Sequence, residues 1–244
     1  MIERFFIDKI KANFPFNLTH DQSAALEKIV DFIFSSDKNR VFLLKGYAGT
    51  GKSLLVGSLV KTMNEFNRRS VLLAPTGRAA KVFSGYAGQP AYTIHKKIYR
   101  QQKFSEGVAK FSPAENLHRQ TLFIVDEASM ISNSSSDFSL FGSGRLLNDL
   151  IEFVYSSEGC RLMLLGDTAQ LPPVKEEESP ALNKGVLQSY GLEVTETTLT
   201  EIARQEKESG ILYNATLLRD ALKMGETYDY PKLEVNRFSD VKTL

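Results

Sequence analysis

Gly46-Tyr47-Ala48-Gly49-Thr50-Gly51-Lys52-Ser53 is the stretch from which the fold is read. It fits the pattern G-x-x-x-x-G-K-[ST], and it lies between an apolar run, Val41-Phe42-Leu43-Leu44, and a helical stretch over 53–66. A strand that turns through glycines into a helix lets successive backbone N–H groups face inward, and the helix N-terminus adds partial positive charge. Such a turn cradles phosphates. Lys52 is placed to reach the β- and γ-phosphates of ATP and Ser53 to ligate Mg²⁺, while Gly46, Ala48, Gly49, Thr50 and Gly51 form the cradle.

Three further apolar runs repeat the first: Val71-Leu72-Leu73-Ala74, Leu122-Phe123-Ile124-Val125 and Leu162-Met163-Leu164-Leu165. Helical stretches alternate with them. In the first helix, from Asp21 to Phe34, Leu26, Ile29, Val30, Ile33 and Phe34 form one apolar stripe; 145–155 reads as another helix. Continuous apolar strands separated by helices predict an α/β fold, a parallel sheet covered by helices on both faces. Residues 100–118, polar around a Ser-Glu-Gly turn, are expected to form a small hairpin, and the Ser/Gly-rich 132–144 a mobile loop. After Pro180 the strand pattern fades, and 197–224 reads as helical.

Two of the strands deliver polar groups at their C-terminal ends, where open α/β sheets place their ligands. After 122–125 come Asp126 and Glu127: Asp126 is suited to hold Mg²⁺ through its water shell, and Glu127 to polarise an attacking water as a general base. After 162–165 comes Gly166-Asp167-Thr168-Ala169-Gln170-Leu171-Pro172-Pro173-Val174. Gln170 is either a sensor that hydrogen-bonds a γ-phosphate without adding charge or part of a plain Gly-Asp turn before a Pro-rich loop.

Composition narrows the rest. With 42% apolar and 24% charged residues in 244, the chain is ordinary globular material for one or two domains. Thirty Lys+Arg against twenty-nine Asp+Glu excludes a uniformly basic coat and an acidic disordered tail, so a nucleic-acid partner needs locally placed donors. No apolar run approaches the ~20 residues of a membrane span, and the first ten residues lack a signal-peptide core. Cys160 is the only cysteine, which fits a reducing cytoplasm, and three scattered histidines give no zinc spacing.

Taken together, GYAGTGKS, DEAS (126–129), GDTAQLPPV, APTGRAA (74–80), LTHDQ (18–22) and LTEIARQ (199–205) resemble motifs I, II, III, Ia, Q and IV of superfamily 1 helicases, in the RecD-like branch that includes the Dda type. The likeness runs over roughly 18–224. It implies a RecA-like P-loop motor domain over 1–190, with 100–118 as an inserted hairpin. It makes 191–244 a linker and the incomplete start of a second motor domain. It also implies that Gln22 reads adenine, Gln170 couples the γ-phosphate to movement, and Arg204 reaches that phosphate from the second domain. Thr76, Arg78 and, less specifically, His95 fall on the single-stranded DNA track.

For Gln22 the residues offer a rival, because Thr19-x-x-Gln22 at a helix start is also a capping box. His95 reads equally well as a histidine without a ligand. No pattern like motifs V and VI follows Arg204, so the sequence is expected to be part of a longer helicase whose remainder supplies the second motor domain. Competing readings are a P-loop kinase and a nucleotide-dependent DNA-binding module; DNA stimulation of ATP turnover separates them.

Overall fold

A computed structural model of the chain describes residues 1–101, 110–134, 140–174, 176–201 and 209–224, with 233–235, 238, 240 and 241. Its strands are β1 (Arg40–Gly46), β2 (Arg69–Ala74), β3 (Ala91–Thr93), β4 (Tyr99–Gln101), β5 (Phe111–Pro113), β6 (Thr121–Val125), β7 (Arg161–Gly166) and β8 (Glu193–Leu199). Six of them form one sheet in the order β3-β2-β6-β7-β1-β8, and every pairing in it is parallel.

The alternation of side chains along these strands builds two cores. Phe42, Leu44, Leu72, Ile124, Met163 and Leu165 face one side. There they meet α1 (Ile2–Asn13), α2 (His20–Phe34), α3 (Lys52–Glu65) and α4 (Gly77–Ala87). Val41, Leu43, Leu73, Phe123, Val125 and Leu164 face the other side, against α5 (Ile94–Ile98), α6 (Leu146–Tyr155) and α7 (Lys184–Ser189). Strands apolar on both faces must be covered on both, which is why the runs read as continuous rather than alternating. A last helix, α8 (Gly210–Lys223), follows. Among the described residues no helix is long and apolar enough to cross a membrane.

The expected α/β architecture is present, and two local expectations change. Residues 197–199 are not helical: they complete β8, which pairs with β1 along its whole length, while 202–208 lie outside the described residues and Gly210–Lys223 is helical as expected. The Glu-Val-Thr-Glu-Thr-Thr-Leu of β8 is polar because it is an edge strand with half-exposed faces, and that hid it. The sheet therefore extends past residue 190. A second edge strand, β3, is only three residues long and too short to show a pattern.

β4 and β5 form the antiparallel pair of the expected hairpin, but its tip, with Phe104, lies outside the described residues. Of the Ser/Gly-rich loop, 135–139 also lie outside. Its described ends are tied down: Asn133 and Ser134 N–H donate to the Glu176 carboxylate at 2.7 and 2.8 Å, and Ser143 Oγ donates to Asp149 at 2.6 Å. Asp149 is buried and also accepts from Tyr99 Oη at 2.6 Å, so α6, the hairpin and the loop share one carboxylate.

The two helices flanking β2 pack through a glycine. A Cβ on Gly57 of α3 would stand 2.7 Å from the Tyr86 carbonyl oxygen of α4, which backbone cannot yield to cheaply. Gly57→Ala is expected to destabilise the fold by about 1–3 kcal/mol through overpacking. A urea unfolding curve checks this, and an unchanged midpoint would show that the helices separate freely.

Candidate nucleotide and nucleic-acid site

Because all strands of the sheet are parallel, the loops after β1, β6, β7, β2 and β3 leave one edge together. The loop after β1 turns through Gly49 and Gly51, both left-handed at φ 80° and 79°. Gly51 is constrained twice, since a Cβ there would also lie 2.5 Å from Gln22 Nε2. A Cβ on Gly46 would meet Thr50 Oγ1 at 2.8 Å and the Leu199 carbonyl at 3.0 Å. The first, fourth and sixth positions of the pattern are therefore fixed by geometry as well as by the phosphate they are expected to cradle.

Lys52 folds back over this turn. Its Nζ donates to the carbonyls of Gly46 at 2.6 Å and Tyr47 at 2.9 Å, so the ammonium is held over the loop. Thr50 is buried and its Oγ1 donates to the Tyr47 carbonyl at 2.8 Å, closing the turn from inside. Ser53 follows at the start of α3, beside the helix dipole's positive end.

β6 ends in Asp126 and Glu127. Asp126 accepts the Glu127 N–H at 2.9 Å, and burial pushes its carboxyl above the ordinary carboxylate range, with the nearby Glu127 charge adding to the rise. The Lys52 charge works in the other direction. A carboxylate so placed gains from a cation, which is what a Mg²⁺ ligand requires. Glu127 itself sits in the left-handed region at φ 55°, a conformation rare for a side-chain-bearing residue. It turns the chain sharply into the short helical turn Ala128–Met130.

The β7 loop is joined to both neighbours. Asp167 is buried, accepting the Ala48 N–H at 3.1 Å and the Ala169 N–H at 2.8 Å, so it ties the glycine loop to the loop carrying Gln170. Gln170 is exposed, and its Oε1 accepts a hydrogen bond from buried Ser129. Sequence reading missed Asp167 and Ser129 as site residues. The signal was present, since Asp167 lies in GDTAQLPPV and Ser129 in DEAS, but no spacing rule shows that either would reach across to another loop.

Gln22 forms the capping box in full. Its N–H donates to Thr19 Oγ1 at 3.2 Å and its Oε1 accepts the Thr19 N–H at 3.0 Å. Its Nε2 donates to the Thr50 carbonyl at 2.9 Å. One buried amide thus fixes the start of α2 and the floor of the glycine loop. The neighbouring Asp21 closes a second junction: one of its oxygens accepts Thr200 N–H and Oγ1, each at 2.7 Å, and Glu201 N–H at 3.2 Å. Glu201 returns a bond from His20 N–H at 3.0 Å, so α2 and the end of β8 cap each other. These bonds, the Thr200 hydroxyl foremost, hold the Asp21 carboxyl below its ordinary value. Arg204 lies outside the described residues.

Thr76 caps α4, its hydroxyl accepting the Ala79 N–H at 3.2 Å, and Arg78 is exposed in the first turn of that helix. His95 lies in an aromatic cluster, with ring centroids 5.0 Å from Phe141 and 5.7 Å from Tyr99. Burial there lowers its pKa and favours the neutral ring.

Comparison with known proteins bears on this arrangement. A family profile, AAA_30, described as an AAA domain, matches residues 17–226. The ATP-dependent RecD2 DNA helicase of Deinococcus radiodurans is 30% identical over 158 residues, which is 64% of this chain and 18% of that one. The ATP-dependent DNA helicase dda of Enterobacteria phage T4 is 28% identical over 168 residues, 68% of this chain and 35% of that one. The chain thus spans little more than a third, at most, of either relative. The crystal structure of Pif1 helicase from Candida albicans superposes with a TM-score of 0.53 at 21% identity, covering 90% of this chain and 50% of that one; this likeness concerns the fold.

Removing the Gln22 amide tests the junction it makes. Gln22→Ala leaves the Thr19 N–H and the buried Thr50 carbonyl unpaired and is expected to cost about 1–3 kcal/mol of stability. Thr19→Ala removes the hydroxyl half of the cap, keeps the tether to Thr50 and is expected to cost about 1 kcal/mol. Equal losses in denaturant unfolding would show that the bond to Thr50 contributes nothing.

Proposed function

The chain belongs to the AAA_30 family of AAA domains, and we propose that it is the RecA-like motor domain of a superfamily 1 DNA helicase, which uses ATP hydrolysis to move on single-stranded DNA. The observation that carries this reading is the shared edge. The loops after β1, β6 and β7, which hold Lys52, Asp126, Glu127 and Gln170, emerge beside those after β2 and β3, which hold Thr76, Arg78 and His95. A change at a phosphate is then one strand away from a change in the grip on DNA.

In this reading ATP and Mg²⁺ enter at 46–53, and the donor set suits them: inward backbone N–H groups, the Lys52 ammonium, the Ser53 hydroxyl and the half-buried Asp126 carboxylate. Bound Mg²⁺ neutralises charge developing between the phosphates. Lys52 exchanges its carbonyl partners for phosphate oxygens, and Ser53 and Asp126 serve the metal side. Glu127 takes the proton of the attacking water, while Arg204, from the segment after β8, adds positive charge at the γ-phosphate. Gln170, tied to Ser129 and through its loop to Asp167, senses that phosphate from between the two loops. Adenine reading by Gln22 belongs to the same proposal and requires one of its amide bonds, to Thr19 or to Thr50, to open. A second motor domain is the expected partner that closes over the nucleotide.

ATP turnover measured with and without oligo-dT tests the reading; stimulation by the single strand is expected, and turnover indifferent to DNA would point to a kinase instead. Lys52→Ala should lose nucleotide binding, read by calorimetry, because it removes the ammonium held over the loop. Glu127→Gln should keep nucleotide affinity while kcat falls by roughly 10² or more, since the shape is kept and the base is removed. Equal turnover in that variant would sink the general-base role.

A further inference from the structure

The 40 residues from Phe66 to Ser105 contain eight lysines and arginines and no aspartate or glutamate. The remainder of the chain is therefore net acidic, and the formal charge of +1 conceals a segregation. Two of those cations, Arg78 and Lys81, lie on α4 near the proposed DNA track. Others gather elsewhere. Arg68 and Arg69 open β2 and line a cavity of about 400 Å³ together with His118, Asn64, Asn67 and Ser70; no carboxylate lines it.

The positive groups continue outward from that cavity. His118 is held toward its neutral form by burial and then by the charges of Lys97 and Arg69. Lys97 is in turn depressed by burial and then by Arg100. Like charges this close oppose one another, and among the described residues none of these cations takes part in an ion pair. Arg68 is not needed to close the end of α3, because backbone N–H groups already cap it: Arg68 N–H donates to the Met63 carbonyl at 2.8 Å and Asn67 N–H to Asn64 at 3.1 Å. Its guanidinium lies over the Phe34 ring at 4.1 Å, which holds the head at the surface.

The cavity end of this group, with Arg68 and Arg69, is far from the nucleotide edge, whereas Lys97 follows β3 two residues after His95. Arg69 begins β2 and Thr76 follows its end, so they are separated by a six-residue strand, or roughly 20 Å at about 3.3 Å per residue. One single strand running over the C-terminal edge cannot touch both. Nor does the cluster offer stacking platforms: exposed Tyr92 is already faced by Lys96 and Lys97 ammoniums at 5.8 and 5.5 Å. What it offers is charge and small polar donors, the chemistry of phosphate backbones rather than bases.

We infer that Arg68, Arg69 and His118, which line one cavity, form a second nucleic-acid contact, which holds the phosphate backbone of duplex DNA apart from the single-stranded track. Duplex is the fitting occupant because it packs one charge per ~1.7 Å of axis, denser than a single strand. The inference rests on the chain being a DNA motor, and it adds a point of attachment for the unopened part of the substrate.

The test is fluorescence anisotropy of a labelled blunt duplex and of labelled oligo-dT, each over a salt series, with the whole chain. The double variant Arg68→Gln, Arg69→Gln is expected to weaken duplex binding by about tenfold. It should also lower the slope of log K against log salt by about 2, near 0.9 for each phosphate that is no longer neutralised. Oligo-dT and nucleotide affinity should be unchanged, and circular dichroism confirms that the variant is folded. Arg78→Ala should do the converse, weakening oligo-dT and sparing duplex. Failure of the unaltered chain to bind duplex at about 50 mM salt overturns the inference. So does an equal weakening of both ligands in the double variant, which would place these groups on the single-stranded track. Variant-sensitive duplex binding without any oligo-dT binding supports the second site and counts against the motor reading.

Discussion

A parallel strand cannot be followed directly by its neighbour; the chain must cross over a face and return before the next strand begins. In this fold that constraint sends all six strands of the main sheet the same way, so their C-terminal loops share one edge. The glycine loop, the Asp126–Glu127 corner and the Asp167–Gln170 loop become neighbours because β6, β7 and β1 are adjacent in the sheet. They are far apart in sequence. The same crossovers cover both faces, which is why Leu43 and Leu44, adjacent in the chain, belong to opposite cores.

Within that edge, order comes from groups that bond across loops. Asp167 takes a backbone N–H from the glycine loop, Ser129 bonds Gln170, and Gln22 holds the Thr50 carbonyl. Each is buried, so each bond is made away from competing water, and removing one partner strands the other. The loops therefore move with penalties attached to specific atoms. Lys52 is the contrast: its partners are two carbonyls of its own loop, which under the proposed function it leaves for phosphate oxygens without unpacking a core. Preorganisation at the floor and exchangeable bonds at the mouth are what a site that binds and releases a charged ligand needs.

Legibility in the sequence followed burial. β1, β2, β6 and β7 lie inside the sheet, are apolar on both faces and were readable as runs. β3 and β8 lie at its edges, where half-exposed faces admit Thr, Glu and Tyr, so neither showed as a strand. The glycine loop was legible to the residue because left-handed turns and close backbone approach leave few alternatives at Gly49 and Gly51. Gln22 was legible as a capping residue, since the box depends on local spacing alone. Its bond to Thr50 was not, since that depends on how α2 docks. The mutual capping of Asp21 and Thr200, 179 positions apart, was invisible for the same reason.

Net charge was the most misleading of the summary quantities. A value near zero excludes a basic coat, but it does not exclude a basic face when acids and bases are segregated along the chain. Here β2, α4, β3 and α5 come consecutively, so a run of sequence without a carboxylate becomes one edge of the sheet with the helices on its two faces. His118 joins that edge only because β6 pairs beside β2 and brings the preceding turn next to Arg69. Self-repulsion in such a cluster is unfavourable to the fold, and folds ordinarily relieve it with interspersed acids. Where the acids are missing over 40 residues, an external polyanion that supplies the compensating charge is the simplest physical account of the pattern.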